Sequence, residues 1–112
     1  MNEEFLSCFL PEGLLDFFEF TSVEKGEFLT IYLQEKNITP VEYVGHKLSS
    51  KGFYEEITIQ DFPIRKKACF LKVKRRRWLD EDTGNYVARD WNLVAKGTRM
   101  TQELASFLKG TH

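Results

Sequence analysis

An eighteen-residue stretch, Asp61 to Trp78, constrains this chain most. Its last fourteen residues carry eight cationic side chains and no acid, yet Cys69, Leu71 and Val73 alternate with Phe70, Lys72 and Lys74 in its middle. Successive side chains of a strand point to opposite faces. The segment from about Lys67 to Trp78 therefore predicts a strand that packs Cys69, Leu71 and Val73 on a core and turns Phe70, Lys72, Lys74, Arg76 and Trp78 outward. Arg75 and Arg77 fall on the core side by parity, or in water if the strand leaves its sheet beyond Val73.

The upstream segments read as a platform for this strand. Phe5, Leu6, Phe9 and Leu10 form the apolar stripe of a short helix over Glu3–Leu10, with acids at its start. After Gly13 a brief helical start at Leu14 passes into alternation at Phe18–Phe20. A turn at Glu24–Glu27 then joins Phe20–Val23 to Phe28–Leu33 as a hairpin, with Gly26 free to take a positive φ. Residues Pro40–Gly52, including His46, read as a loop holding one helical turn. Phe53–Gln60 predicts a strand with Ile57 and Ile59 on its dry face, and Asp61-Phe-Pro63 a turn.

Downstream, an acidic turn over Leu79–Gly84 leads to a return strand over Gly84–Arg89. A connector follows, and then a helix in which Met100, Leu104, Phe107 and Leu108 recur at helical spacing. Thr98 or Thr101 caps its start, and Gly110 stops it.

One hundred and twelve residues make one small domain, 1–112, in which an acidic helix and hairpin (1–35), a basic strand region (53–95) and a closing helix (98–109) follow one another. The net charge of −1 hides an asymmetry. Residues 1–35 hold eight acids against Lys25 alone, while the rest hold fifteen bases against nine acids. Such a split fits a face for a polyanion with another turned away, or two halves that attract each other. Cys8 and Cys69 define neither a disulfide framework nor a zinc site, and with His46 and His112 the only imidazoles, no metal ligands are assigned. Two buried free thiols in a reducing cytoplasm are the expectation. No secretory leader is recognisable, and no apolar run approaches ~20 residues, so no membrane association is expected.

No acid is joined to a His, Cys or Ser in a recognisable catalytic motif, and no glycine-rich phosphate loop is present, so no enzyme activity, catalytic residue or cofactor is assigned. The outward cations suit a phosphate backbone, with Trp78 available to stack or to pack. The same pattern serves equally as a solvated edge strand whose lysines discourage aggregation.

Several phrases then read together: Leu10-Pro-Glu-Gly-Leu-Leu15, Gly52-Phe-Tyr54, Asp61-Phe-Pro-Ile-Arg65, Lys74-Arg-Arg-Arg-Trp78, Asp90-Trp91, and Gly97-Thr-Arg-Met-Thr-Gln-Glu103 with Phe107-Leu-Lys109. Across nearly the whole chain this resembles the N-region protein of ISAon-type insertion-sequence transposases, whose catalytic part is encoded separately. Related single-chain transposases place a zinc ribbon where this chain has an Asp-Glu-Asp-Thr-Gly turn, so zinc is not carried over. The usual Gly after Ile-Arg is replaced by Lys66.

The resemblance implies a DNA-binding accessory component that recognises mobile-element ends, with strand transfer done by a separate catalytic subunit. Its implied phosphate contacts are Arg65, Lys72, Lys74, Arg75, Arg76 and Arg77, flanked by Lys66, Lys67 and Trp78, with Arg99 near the closing helix. The alternative is a protein-interaction module that docks the catalytic subunit or self-associates. The expected fold is α+β: an antiparallel sheet of about four to six strands, a short N-terminal helical segment and a C-terminal helix.

Overall fold

The computed structural model describes residues 7–109. Half of the helix expected over Glu3–Leu10 lies outside them, and the described half, Ser7–Leu10, forms a turn and a bend and no helix. The α+β class holds, and seven strands divide between two sheets where one was expected.

The chain enters through a single turn of helix, α1 (Leu14–Phe17), and a hairpin of β1 (Phe18–Lys25) and β2 (Leu29–Glu35). A 3₁₀ turn at Val41–Tyr43 precedes β3 (Leu48–Phe53), a strand where a loop was expected. Next come β4 (Ile57–Ile64), β5 (Lys67–Lys74), β6 (Arg76–Asp80), β7 (Asn85–Val87) and two seven-residue helices, α2 (Trp91–Gly97) and α3 (Gln102–Leu108). The connector before the closing helix is thus itself helical. Asp90 caps α2 by accepting from the Leu93 N–H at 3.2 Å, and Thr101 caps α3 by accepting from the Leu104 N–H at 3.1 Å. Thr98, the other capping candidate, instead donates to the Val94 carbonyl at 2.8 Å.

The first sheet has the order β1-β2-β5-β4, and the second β3-β6-β7. All pairings are antiparallel except that of β2 with β5, which runs parallel from Leu29↔Cys69 to Gln34↔Lys74. The first sheet buries one face. Phe18, Ile31, Leu33, Ile59, Cys69, Leu71 and Val73 form a single core with Leu10, Leu14, Trp91, Met100, Leu104, Ala105 and Leu108. Burying each large side chain contributes ~1.5–3 kcal/mol. Trp91 closes the core by stacking on Phe18, with ring centroids 5.3 Å apart.

Gly13 lets the entry segment approach Met100, just before α3. Its φ of +82° favours glycine, and a Cβ there would lie 3.2 Å from the Met100 Cβ, a contact tight enough to force a small shift. The Glu24–Glu27 turn forms as expected but without help from Gly26, which is not among the positive-φ residues. Cys69 is buried as anticipated, and burial pushes its thiol pKa up. Cys8 is exposed, against the expectation of two buried thiols.

Candidate nucleic-acid interface

Three different environments receive the basic stretch. The first is a turn. The β4 strand does not stop at Asp61-Phe-Pro63 but bulges there, between Asp61 and Ile64, and continues to Ile64. Ile64 pairs with Lys67, leaving Arg65 and Lys66 as a two-residue hairpin loop with φ +50° and +67°. Positive φ at both central residues is the turn pattern that matches strand twist, and it normally selects Asn-Gly or Asp-Gly. Here two long cations hold it, both exposed. Lys66 holds a backbone conformation that a Gly would favour.

The turn has neighbours. Because β2 and β5 are parallel, the β1–β2 turn lies at the same end of the sheet, and the Lys67 Nζ donates to the Gly26 carbonyl at 2.8 Å. Phe28 on that turn meets Phe70 edge-on at 5.5 Å and is 52% exposed. On the bulge, Phe62 is 86% exposed. Lys25, Arg65, Lys66 and Lys67 thus share one end of the molecule with two exposed phenylalanines, and Glu27 is the acid on the adjoining turn.

The second environment is the open face of the first sheet. Cys69, Leu71 and Val73 are buried, and Phe70, Lys72 and Lys74 lie on the opposite face, as strand alternation requires. Register places Lys72 between Tyr32 and Thr58 and Lys74 beside Gln34. A shallow cleft of about 260 Å³ opens here, lined by Thr21, Ser22, Tyr32, Leu33, Gln34, Glu56 and Lys74. The acidic first third is not turned away from these lysines. Glu19 accepts from Gln34 Nε2 at 2.8 Å on this face, and Glu24 accepts from the Tyr32 hydroxyl, a contact that raises the Tyr32 pKa.

The third environment is the junction between the sheets, and here the outward row ends. Arg75 belongs to neither strand, so alternation does not carry across it into β6. Its guanidinium donates to the Leu108 carbonyl at 3.3 Å, at the C-terminal end of α3 where a cation is favoured, and to the Glu55 carbonyl at 3.2 Å. Arg76, expected outward, donates from Nε and Nη2 to the Glu35 carbonyl and from Nη1 to Ser50 Oγ, and covers the Phe53 ring at 4.7 Å. Arg77 donates to the Lys51 carbonyl at 3.1 Å and lies over Tyr86 at 4.6 Å. Trp78, also expected outward, is 2% exposed. Of these arginines Arg76 ties the two sheets together, while Arg77 is held within the second sheet and Arg75 against the last helix and the Glu55 carbonyl. These contacts also leave their donors less available to a phosphate than those of Lys72, Lys74 or the turn.

Two residues of this junction had no signal of their own in the sequence. Glu35 ends β2 fully buried, accepting from the Arg76 backbone N–H at 3.0 Å and from Arg89 Nε at 3.1 Å. Arg89 also donates to the Ile38 carbonyl and lies over the Phe17 and Trp91 rings. Arg99 is exposed between α2 and α3.

No protein-family model matches the chain, and no curated protein or solved structure is significantly similar to it. Among the described residues no helix is long and apolar enough to cross a membrane.

Proposed function

We propose that this chain is a DNA-binding accessory component of an insertion-sequence transposase, and that the β4–β5 turn end of its first sheet makes the contact. The observation that carries this reading is the Arg65-Lys66 turn. Two non-glycine residues side by side at positive φ cost roughly 1 kcal/mol or more each, and strain of this kind concentrates where a site needs particular side chains in particular places. A two-stranded ribbon fits the major groove of B-DNA, and Arg65, Lys66 and Lys67 at its tip supply cations for phosphates while Phe62 offers an apolar surface beside them. Lys72 and Lys74 extend the positive surface along the same strand.

The experiment is a salt titration of duplex binding. Three phosphate contacts give a slope of log K against log salt of about −2.7, and replacing Arg65 by Ser, Lys66 by Gly and Lys67 by Ser flattens it by most of that amount. A slope unchanged by the triple substitution overturns the reading.

The exposed rings of Phe28 and Phe62 favour a second reading, a protein-docking end that engages the catalytic subunit or another copy of this chain. In that case Phe62→Ser abolishes a complex seen by size-exclusion chromatography, while duplex affinity stays flat across salt.

A further inference from the structure

We infer that His46, Asp80 and Asp82 form a binding site for a divalent first-row transition-metal ion, one that fastens the segment after the 3₁₀ turn to the β6–β7 turn. This rests on geometry remote from the cationic end and does not depend on the DNA reading. His46 is thirty-four residues from Asp80, and the cysteine and histidine spacing of the sequence gives no hint that they meet. In the fold the His46 Nδ1 lies 3.0 Å from Asp80 Oδ2, and one donor atom from each of His46, Asp80 and Asp82 lies within 4.8 Å of the others. Two ligands at right angles on an ion ~2.1 Å away are separated by about 3.0 Å, so the imidazole and the Asp80 carboxylate already have the spacing of adjacent ligands on a six-coordinate ion.

The surrounding backbone prepares the site. The Glu81 N–H donates to the Lys47 carbonyl at 2.9 Å and the Gly84 N–H to the Asp80 carbonyl at 2.7 Å, closing the turn against the 46–47 segment. Asp80 Oδ1 accepts from the Asp82 N–H at 3.0 Å, which aims the other oxygen at His46.

Electrostatics supplies an independent argument. The Asp80 side chain is 4% exposed, and a buried carboxylate is ordinarily paired with a fixed cation. Among the described residues no lysine or arginine pairs with Asp80 or Asp82, and Lys47, the nearest in sequence, pairs with Glu81 at 3.6 Å. Folding therefore brings a second carboxylate towards a buried one with an imidazole and two backbone N–H groups as their partners, from Lys47 to Asp82 Oδ2 at 3.3 Å and from Asp82 to Asp80 Oδ1 at 3.0 Å, and no lysine or arginine, an arrangement that a bound cation completes. One imidazole with two carboxylates selects Mn²⁺ or Zn²⁺ over Mg²⁺ and Ca²⁺, which prefer all-oxygen sites.

The test uses the untagged full chain, stripped with a chelator and titrated with MnCl₂ while the sharp six-line resonance of free Mn²⁺ is followed. One ion per chain is expected, displaced by Zn²⁺ and not by a large excess of Mg²⁺. His46→Ala and Asp82→Asn, both at exposed positions, each weaken binding at least about tenfold with circular dichroism unchanged, whereas His112→Ala leaves it intact. In the unsubstituted chain, Mn²⁺ broadens the His46 ring resonances and the backbone amides of residues 82–84 first, a readout that needs no variant. Absence of binding at millimolar Mn²⁺ and Zn²⁺, affinity unaffected by both substitutions, or broadening centred elsewhere overturns the assignment.

Discussion

Glu35 and Arg89 are fifty-four residues apart in sequence, yet their side chains meet at 3.1 Å with only 1% and 4% of their surfaces exposed. Glu35 ends the hairpin of the first sheet, and Arg89 follows the last strand of the second. The pair therefore joins the sheets, with Arg76 bonded to the same glutamate through its backbone N–H and its guanidinium.

Removing one partner strands the other's charge. Arg89→Met, which keeps much of the packing on Phe17 and Trp91, costs about 3–5 kcal/mol at neutral pH, and less in mildly acid buffer where Glu35 can take up a proton. Urea denaturation at two pH values measures both. A loss below about 1 kcal/mol at neutral pH would show that the pair does not hold the sheets together.

Burial lifts the Glu35 carboxyl above its ordinary value of 4.5, and the Arg76 N–H and the Arg89 guanidinium pull it back only in part. A carboxyl raised by folding binds its proton more tightly in the folded chain. Its contribution is complete below the unfolded value and is lost as pH rises through the folded one. The stability of the wild-type chain minus that of Glu35→Gln accordingly falls as pH climbs above 4.5. A difference that rises over that range contradicts the assignment.

The Arg65-Lys66 turn trades stability against charge. Lys66→Gly relieves a positive φ of 67° and raises stability by about 0.5–1 kcal/mol, after allowing for the greater freedom of glycine in the unfolded chain. Duplex affinity falls in the same variant. Thermal unfolding together with a binding isotherm separates the two effects, and a destabilised Lys66→Gly chain would rule out strain at the turn.

The three consecutive arginines act differently from the turn. Arg76→Ala removes bonds to the Glu35 carbonyl and Ser50 Oγ and uncovers the Phe53 ring, and costs about 2–3 kcal/mol. Its effect on the salt slope of duplex binding is small next to that of the turn substitutions. A stable Arg76→Ala chain with a flattened slope would reverse these roles.

The basic stretch was legible in sequence as far as Lys74, because alternation between core and solvent is a local property of a strand. It failed at Arg75, where the strand changes sheets without a glycine or proline to mark the break. Arg76 and Trp78 consequently face inward, and the apparent row of cations shortens to Lys72 and Lys74. Strand β3 escaped notice since Leu48-Ser-Ser-Lys-Gly-Phe53 has no dry face to alternate, and its place in a sheet comes from pairing with β6. Helix α2 did carry a signal, with Asp90 as cap and Trp91, Val94 and Ala95 at helical spacing, but seven residues make a weak one. The Glu35–Arg89 pair and the His46–Asp80 contact had no local signature. Both come from long-range topology.

The parallel pairing of β2 with β5 has a consequence for synthesis. Leu29 and Cys69 are forty residues apart, and β5 lies between β2 and β4 in the finished sheet. While the chain is emerging, the N-terminal hairpin has formed both its strands but has no neighbour for β2 until the residues through Lys74 are free of the ribosome. For that interval the edge of β2 at Ile31 and Leu33 waits without the strand that will pair with it, and the sheet can only close late and across a long loop. Folding of this small domain is thereby set to be slow for its length, with an exposed strand edge as its most vulnerable intermediate.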